Sequence, residues 1–170
     1  MEINFCRRCG AALTHQQAHI YRCANGHTLY VNSSPAVGIF LVNERDEVVV
    51  AVRAIDPGKG KFDAPGGFLD SSETLEAAIT REVQEEIGVS PESYDPPQFL
   101  ASGIDPYEFK GETHDVLASI FWARLHAGAE LNPQDDVASV ELVPLKDLNP
   151  ADFFFPAVRQ GAEKLKELLS

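Results

Sequence analysis

At 170 residues with 44% hydrophobic content, the chain is long enough for one ordinary domain plus a small appendage, and apolar enough to bury a real core. Its formal net charge of -12 repels polyanions at long range. That excludes non-specific binding to nucleic acid or anionic membranes away from the few basic clusters, Arg7 with Arg8 and the stretch from Arg53 to Lys61.

Met1 to Phe5 has neither the basic stretch nor the apolar run of a signal peptide, and no apolar run elsewhere reaches membrane-spanning length. A cytoplasmic protein is expected. The three cysteines, Cys6, Cys9 and Cys23, are an odd number confined to the first quarter of the chain, which argues against a disulfide framework and for metal ligation. Cys6-Arg7-Arg8-Cys9 is a knuckle followed by Gly10, and Cys23-Ala24-Asn25-Gly26-His27 supplies a second pair. A closed Cys₃His set of Cys6, Cys9, Cys23 and His27 suits structural Zn²⁺, and a segment of about thirty residues without a core needs such a staple. His15 and His19 compete with His27 for the fourth place, and a set of reduced free cysteines competes with zinc altogether.

A boundary is expected near Ser33, Ser34 and Pro35, separating a zinc-binding segment, 1–34, from a main domain, 35–170. The β-branched runs Ala36 to Val42 and Val48 to Val52, joined by polar Asn43 to Glu47, predict a hairpin of two buried strands. Asp56 to Lys61 and Ala64 to Gly67 are predicted loops by their Pro and Gly content. From Thr74 the period changes. Leu75, Ile79, Val83 and Ile87 recur every four residues and Gly88 follows, predicting a helix that starts at a Thr74 cap and stops at a left-handed residue. Gln98 to Gly103 and Val116 to Leu125 are predicted strands around a long loop holding Asp105 to Phe109. A short strand over Val137 to Val143 and an amphipathic helix over Ala157 to Leu169 complete a layered α/β or α+β domain.

On the predicted helix Glu82, Glu85 and Glu86 stand at i, i+3 and i+4, so one turn carries three carboxylates on one face. A solvated acidic face is the ordinary explanation of such a cluster. Here, however, the acids border the apolar stripe, and the helix follows Pro65-Gly66-Gly67, whose backbone can approach a ligand closely. Hard oxygen ligands on a rigid element suit Mg²⁺ or Mn²⁺, ions that also bridge to phosphates.

The same stretch resembles the Nudix hydrolase family. Its box, G-x5-E-x7-R-E-U-x-E-E-x-G-U with U bulky and aliphatic, is matched at every defining position by Gly67, Glu73 and Arg81-Glu82-Val83-Gln84-Glu85-Glu86-Ile87-Gly88-Val89. The resemblance implies a mixed β-sheet sandwiched between helices over residues 35–170. It further implies divalent-ion coordination by Glu82, Glu85 and Glu86 with a backbone carbonyl near Gly66 or Gly67, and an ion pair of Arg81 with Glu73 that orients loop and helix. A zinc ribbon ahead of such a domain resembles the NADH pyrophosphatase branch. The chain departs from that branch in having His27 where a fourth cysteine is usual, and in only echoing the branch's S-Q-P-W-P-F-P-x-S motif at Ser102 to Tyr107. The further N-terminal domain of those enzymes is not part of this sequence.

The implied activity is hydrolysis of the diphosphate link of a nucleoside diphosphate derivative such as NAD(H), ADP-ribose or a nucleotide sugar. Nucleoside triphosphate pyrophosphohydrolysis is the alternative, and a non-catalytic nucleotide sensor or a zinc-ribbon adaptor is the alternative of another class. The general base lies either in the box or outside it, at Glu112, Asp135 or Asp136. Phe62, Tyr107 and Phe109 are candidates for stacking on a base, and Arg53, Lys59 and Lys61 for meeting phosphate. The Phe153-Phe154-Phe155 run is expected in the core or at a dimer contact, a homodimer being suggested by the family likeness.

Overall fold

A computed structural model describes residues 3–109, 111–134 and 137–170. Its first part is a small antiparallel sheet of β1 (Leu13–Gln17), β2 (Ile20–Cys23) and β3 (Thr28–Tyr30). The larger sheet contains β4 (Ser34–Val42), β5 (Glu47–Arg53), β6 (Phe62–Asp63), β7 (Gln98–Phe109), β8 (Glu112–Arg124) and β9 (Val137–Pro144). Its order is β6-β5-β4-β8-β7, with β9 on the other edge of β5. β4 and β8 run parallel in register from Ser34↔Val116 to Val42↔Arg124.

The period of two in β4 and β5 divides the interior between two helices. Phe40, Val42, Val48 and Val50 face α2 (Pro156–Leu169), whose Val158, Ala162 and Leu165 share their core. Val37, Ile39, Leu41 and Val49 face α1 (Leu75–Ile87), whose Ala78, Ile79, Val83 and Ile87 fill the other side. A strand buried on both faces accounts for the unbroken apolar run that predicted it. The expected sandwich of a mixed sheet between helices is therefore the observed one.

One expected loop is sheet instead. β7 and β8 form a single long hairpin paired as far as Phe109↔Glu112. Ala101, Gly103, Asp105 and Tyr107 alternate with exposed Ser102, Ile104, Pro106 and Glu108. Asp105-Pro106 has the composition of a turn, but β7 is an edge strand, where a proline's missing N–H is tolerated.

β4 and β5 are paired only at Val42↔Val48 and then part. The edge that β5 leaves on β4 is taken by the loop after β6: Val37 and Ile39 donate their N–H groups to the carbonyls of Gly67 and Pro65, both at 2.9 Å, and Leu69 N–H donates to Pro35. This opening in the sheet carries the site.

Packing against α2 is close. A Cβ added at Gly161 would lie 2.5 Å from Cγ2 of Ile120, a buried β-branched residue on β8. Gly161→Ala gains about 1 kcal/mol of helix propensity but costs more in overpacking, so urea denaturation should show a net loss of about 1–2 kcal/mol.

Candidate active site

Thr74 caps α1 by accepting the Ala77 N–H, and Gly88 ends it with φ 69°. Val83 and Ile87, buried beneath the sheet, orient the polar side of the last turns toward the Pro65-Gly66-Gly67 loop. The loop is packed closely on both sides, on β4 at Gly66 and on α1 at Gly67. A Cβ on Gly66, whose φ is 151°, would stand 2.1 Å from the Val37 carbonyl oxygen, and one on Gly67 would stand 2.5 Å from Oε1 of Glu82. Only glycine fits at Gly66, where backbone stands in the way, whereas a side chain at Gly67 would displace the Glu82 carboxylate. Gly66 N–H donates to Oε2 of Glu86 at 2.8 Å, tying loop to helix.

Arg81 organises the acids. Its Nε and Nη2 donate to the two oxygens of Glu73 at 3.0 and 2.9 Å, a bidentate pair, and Nη2 also reaches the Phe68 carbonyl at 3.0 Å. Its Nη1 donates to Glu82 at 2.7 Å and to Glu85 at 3.2 Å. The expected Arg81–Glu73 pair is thus present, and the guanidinium is in addition a positive centre shared by two of the three box acids. Glu82, Glu85 and Glu86 leave one turn of helix toward the loop, but they do not close into a cluster as tight as the cysteines described below.

These contacts set the titration behaviour. The Arg81 guanidinium, and after it the Asp70 N–H, hold Glu73 below the ordinary glutamate value. Burial pushes Glu82 up, with Arg81 opposing. The carboxylates around it, Glu73 foremost, hold Arg81 more firmly protonated than usual.

Beside the loop opens a cavity of about 180 Å³. Gly66, Gly67 and Glu86 form one part of its wall, and Arg53, Asp63, Asp105, Phe68, Tyr107 and Phe155 another. Arg53 lies over the Phe155 ring at 4.9 Å and pairs with Asp63 at 2.7 Å. Phe68 meets Tyr107 edge-on at 5.6 Å, and Tyr107 stacks on Phe155 at 6.1 Å. Burial raises Asp63 to about 6 against the pull of Arg53, and burial raises Asp105 as well.

The expected substrate residues divide accordingly. Arg53 and Tyr107 line the cavity. Phe62 does not: it packs on Phe153 at 5.9 Å because the inward position on β6 faces the α2 core. Lys59 and Lys61 are exposed and do not line the cavity. The side chain of Phe109 lies outside the described residues, as do Asp135 and Asp136. Glu112 is exposed at the hairpin tip, with a carboxylate oxygen 3.6 Å from His114 Nε2, and is not a cavity residue. Within the aromatic run, Phe153 is core and Phe155 is cavity wall. Asp63, Asp105 and Phe68 were not anticipated. For Asp105 the available signal is its place within Ser102 to Tyr107, the stretch that echoes the branch motif; its inward side on a strand shows only in the fold.

In the N-terminal segment, one ligand atom from each of Cys6, Cys9, Cys23 and His27 falls within 4.8 Å of the others, a set that can hold a metal ion. Cys6 Sγ to His27 Nδ1 is 3.6 Å and Cys9 Sγ to Cys23 Sγ is 3.8 Å. A tetrahedron with metal–sulfur bonds of about 2.3 Å and a metal–nitrogen bond of about 2.05 Å has edges of about 3.6 and 3.8 Å. His15 is engaged elsewhere, on the Ala18 carbonyl at 2.8 Å. Asn25 Nδ2 donates to Cys9 Sγ at 3.4 Å, and the Ala11 N–H foremost, then Asn25, lowers the Cys9 thiol to about 6.

The NUDIX domain family matches residues 32–165. The ADP-ribose pyrophosphatase of Methanocaldococcus jannaschii is 30% identical over 123 residues, covering 72% of this chain and 68% of that protein. The NAD-capped RNA hydrolase NudC of Stutzerimonas stutzeri is 33% identical over 135 residues, 78% of this chain but only 44% of its own length. Among solved structures, a NUDIX hydrolase from Nitrosomonas europaea superposes with TM-score 0.72 at 21% identity, covering 98% of this chain and 92% of its own. The NUDIX domain of Shewanella oneidensis NrtR complexed with ADP ribose superposes with TM-score 0.66 at 22% identity, covering 83% and 91%.

Because Glu73 is held below its ordinary value, its pairing with Arg81 stabilises the fold above the usual glutamate range and is lost as pH falls through the folded value. Glu73→Gln should be less stable than the parent in urea at pH 7. The difference should begin to narrow below about pH 4.3 and keep narrowing as pH falls through the lower value that Glu73 has in the fold.

Proposed function

The chain belongs to the NUDIX domain family, and on that premise we propose that it is a divalent-metal-dependent pyrophosphohydrolase. Its substrate is a nucleoside diphosphate derivative, ADP-ribose or NAD(H) in the first place, split at the diphosphate link. The observation that carries this reading is the turn of α1 with Glu86 and Glu82 set against Gly66 and Gly67, Glu85 joined to Glu82 through Arg81, and Glu86 opening onto a cavity with aromatic walls.

A divalent ion fits this donor set. Arg81 Nη1 already acts as a cation shared by Glu82 and Glu85, while Nε and Nη2 stay on Glu73. Nη1 can therefore yield its two carboxylates without Arg81 leaving the loop. Glu82, Glu85 and Glu86, with the Gly66 carbonyl, would hold Mg²⁺ or Mn²⁺; when bound, the ion offsets charge on the phosphoryl oxygens and lowers the pKa of a coordinated water. Glu86, on the cavity wall and fixed by Gly66 N–H, positions the reacting end. The rings of Phe68, Tyr107 and Phe155 with Arg53 receive the other end of the substrate. The general base is assigned to a box glutamate in preference to Glu112, which does not reach the cavity.

Capped RNA is a second reading, favoured by relatives named NAD-capped RNA hydrolase. The chain spans about half of their length or less, and its charge of -12 opposes a long polyanion. The triphosphate reading has support from the 8-oxo-dGTP diphosphatase of Escherichia coli, 42% identical over 60 residues, 35% of this chain. For residues 1–34 we propose a zinc ribbon that docks ahead of the hydrolase domain, 35–170. Unpaired cysteines are most at home in a reducing compartment, in keeping with a cytoplasmic protein; no helix among the described residues is long and apolar enough to cross a membrane.

A panel of ADP-ribose, NAD, NADH, nucleotide sugars, diadenosine polyphosphates and nucleoside triphosphates with Mg²⁺, read by product chromatography, tests the substrate class. Turnover confined to triphosphates contradicts it. Glu85→Gln should keep the fold by circular dichroism and lose about 100-fold or more in turnover. Elemental analysis should find one zinc per chain, lost in Cys23→Ser together with amide protection in β1 to β3.

A further inference from the structure

Asp63 and Asp105 are the two acids of the cavity that the proposed phosphate chemistry does not use. Asp105 is 3% exposed and faces α2 from the inward side of β7. Its Oδ1 accepts the Ala157 N–H at 3.0 Å, capping a helix whose own N-terminal residue, Phe155, offers no side-chain cap. Its Oδ2 accepts no hydrogen bond among the described residues. Asp63 stands on β6, its Oδ1 accepting Ala64 N–H at 2.9 Å and its Oδ2 accepting Arg53 Nη1 at 2.7 Å. Burying two acids in one cavity is costly unless something repays it. Capping accounts for one oxygen of Asp105, and the residue lines the same cavity as Phe68, Tyr107 and Phe155.

We propose that Asp63 and Asp105 read the edge of a nucleobase through its exocyclic amino group, making the cavity selective for aminopurines such as adenine over their oxo counterparts. The proposal rests on the reading of the cavity as a nucleotide site and names the feature of the base that it selects. The chemistry follows from donor and acceptor identity. An ionised carboxylate only accepts. An amino group on the base supplies hydrogens to it, and the ring above or beside it lies against aromatic faces and the Arg53 guanidinium. Hypoxanthine places a carbonyl oxygen where adenine has the amino group, so a carboxylate facing that position meets an acceptor, and the N1–H that hypoxanthine offers instead lies at the neighbouring ring position, reached only by a shift of the ring.

Calorimetric titration of the full chain with AMP and with IMP isolates this single exchange. AMP should bind about 10- to 100-fold more tightly than IMP. Asp105→Asn keeps Oδ1 for Ala157 and puts an N–H₂ donor in place of Oδ2, so the AMP preference should fall to near unity or reverse, with the melting temperature close to the parent. Asp63→Asn, read by the same ratio, serves if Asp105→Asn does not fold. Equal affinity for AMP and IMP in the parent, no binding of either, or a ratio unchanged in the folded variants overturns the proposal. Turnover of ADP-ribose by the parent is followed in parallel. AMP preference with no turnover of ADP-ribose or of any other substrate in the panel supports base reading and refutes the hydrolase assignment, whereas turnover without preference does the reverse.

Discussion

The close approach of one helical turn to one stretch of backbone governs this molecule. Residues 65–67 lie between β4 and α1 so closely that a single carbon added at Gly66 would collide with the Val37 carbonyl on β4, and one added at Gly67 would meet the Glu82 carboxylate on α1. The approach brings Glu82 and Glu86 beside a loop that the sheet itself holds, because that loop pairs with the edge of β4 from which β5 has parted. Like charges gathered so closely repel, and the guanidinium of Arg81 answers the repulsion by spanning Glu73, Glu82 and Glu85 at once. The arrangement is poised: one of its three nitrogens is given to the acids a dication would need, and two are kept for the loop.

From that constraint the rest of the site follows. Opening the sheet between β4 and β5 creates a cavity on the α2 side, and α2 closes it with Phe155 and Val158. Its wall changes character along its length, from glycine backbone and Glu86 to aromatic rings and two buried acids. A substrate with a charged middle and a flat aromatic end matches that gradient.

How much of this could be read from residues alone varies with the range of the interaction. α1 was legible because its period, its Thr74 cap and its Gly88 stop are all local, and the box residues within it are fixed by spacing. The Cys₃His grouping was legible for the same reason, although choosing His27 over His15 and His19 needed the folded distances. The hairpin of β7 and β8 was half concealed: Asp105-Pro106 has turn composition, and only pairing with β8 makes it strand. Phe62 and Phe155 illustrate the deeper limit. Both are aromatic, but which one faces the cavity and which the core is set by the α2 packing that no short window contains. The hold of Arg81 on Glu82 and Glu85, beyond Glu73, is likewise a property of the assembled site.

The central claim, that the turn bearing Glu82, Glu85 and Glu86 captures a hard dication beside Gly66, is most directly tested by diffraction from crystals soaked in Mn²⁺, recorded at the manganese absorption edge. An anomalous peak within about 2.5 Å of carboxylate oxygens from at least two of those glutamates, with Arg81 Nη1 withdrawn and its Glu73 pair intact, is the predicted result. No peak there, with Nη1 still bridging Glu82 and Glu85 at high Mn²⁺, would contradict it.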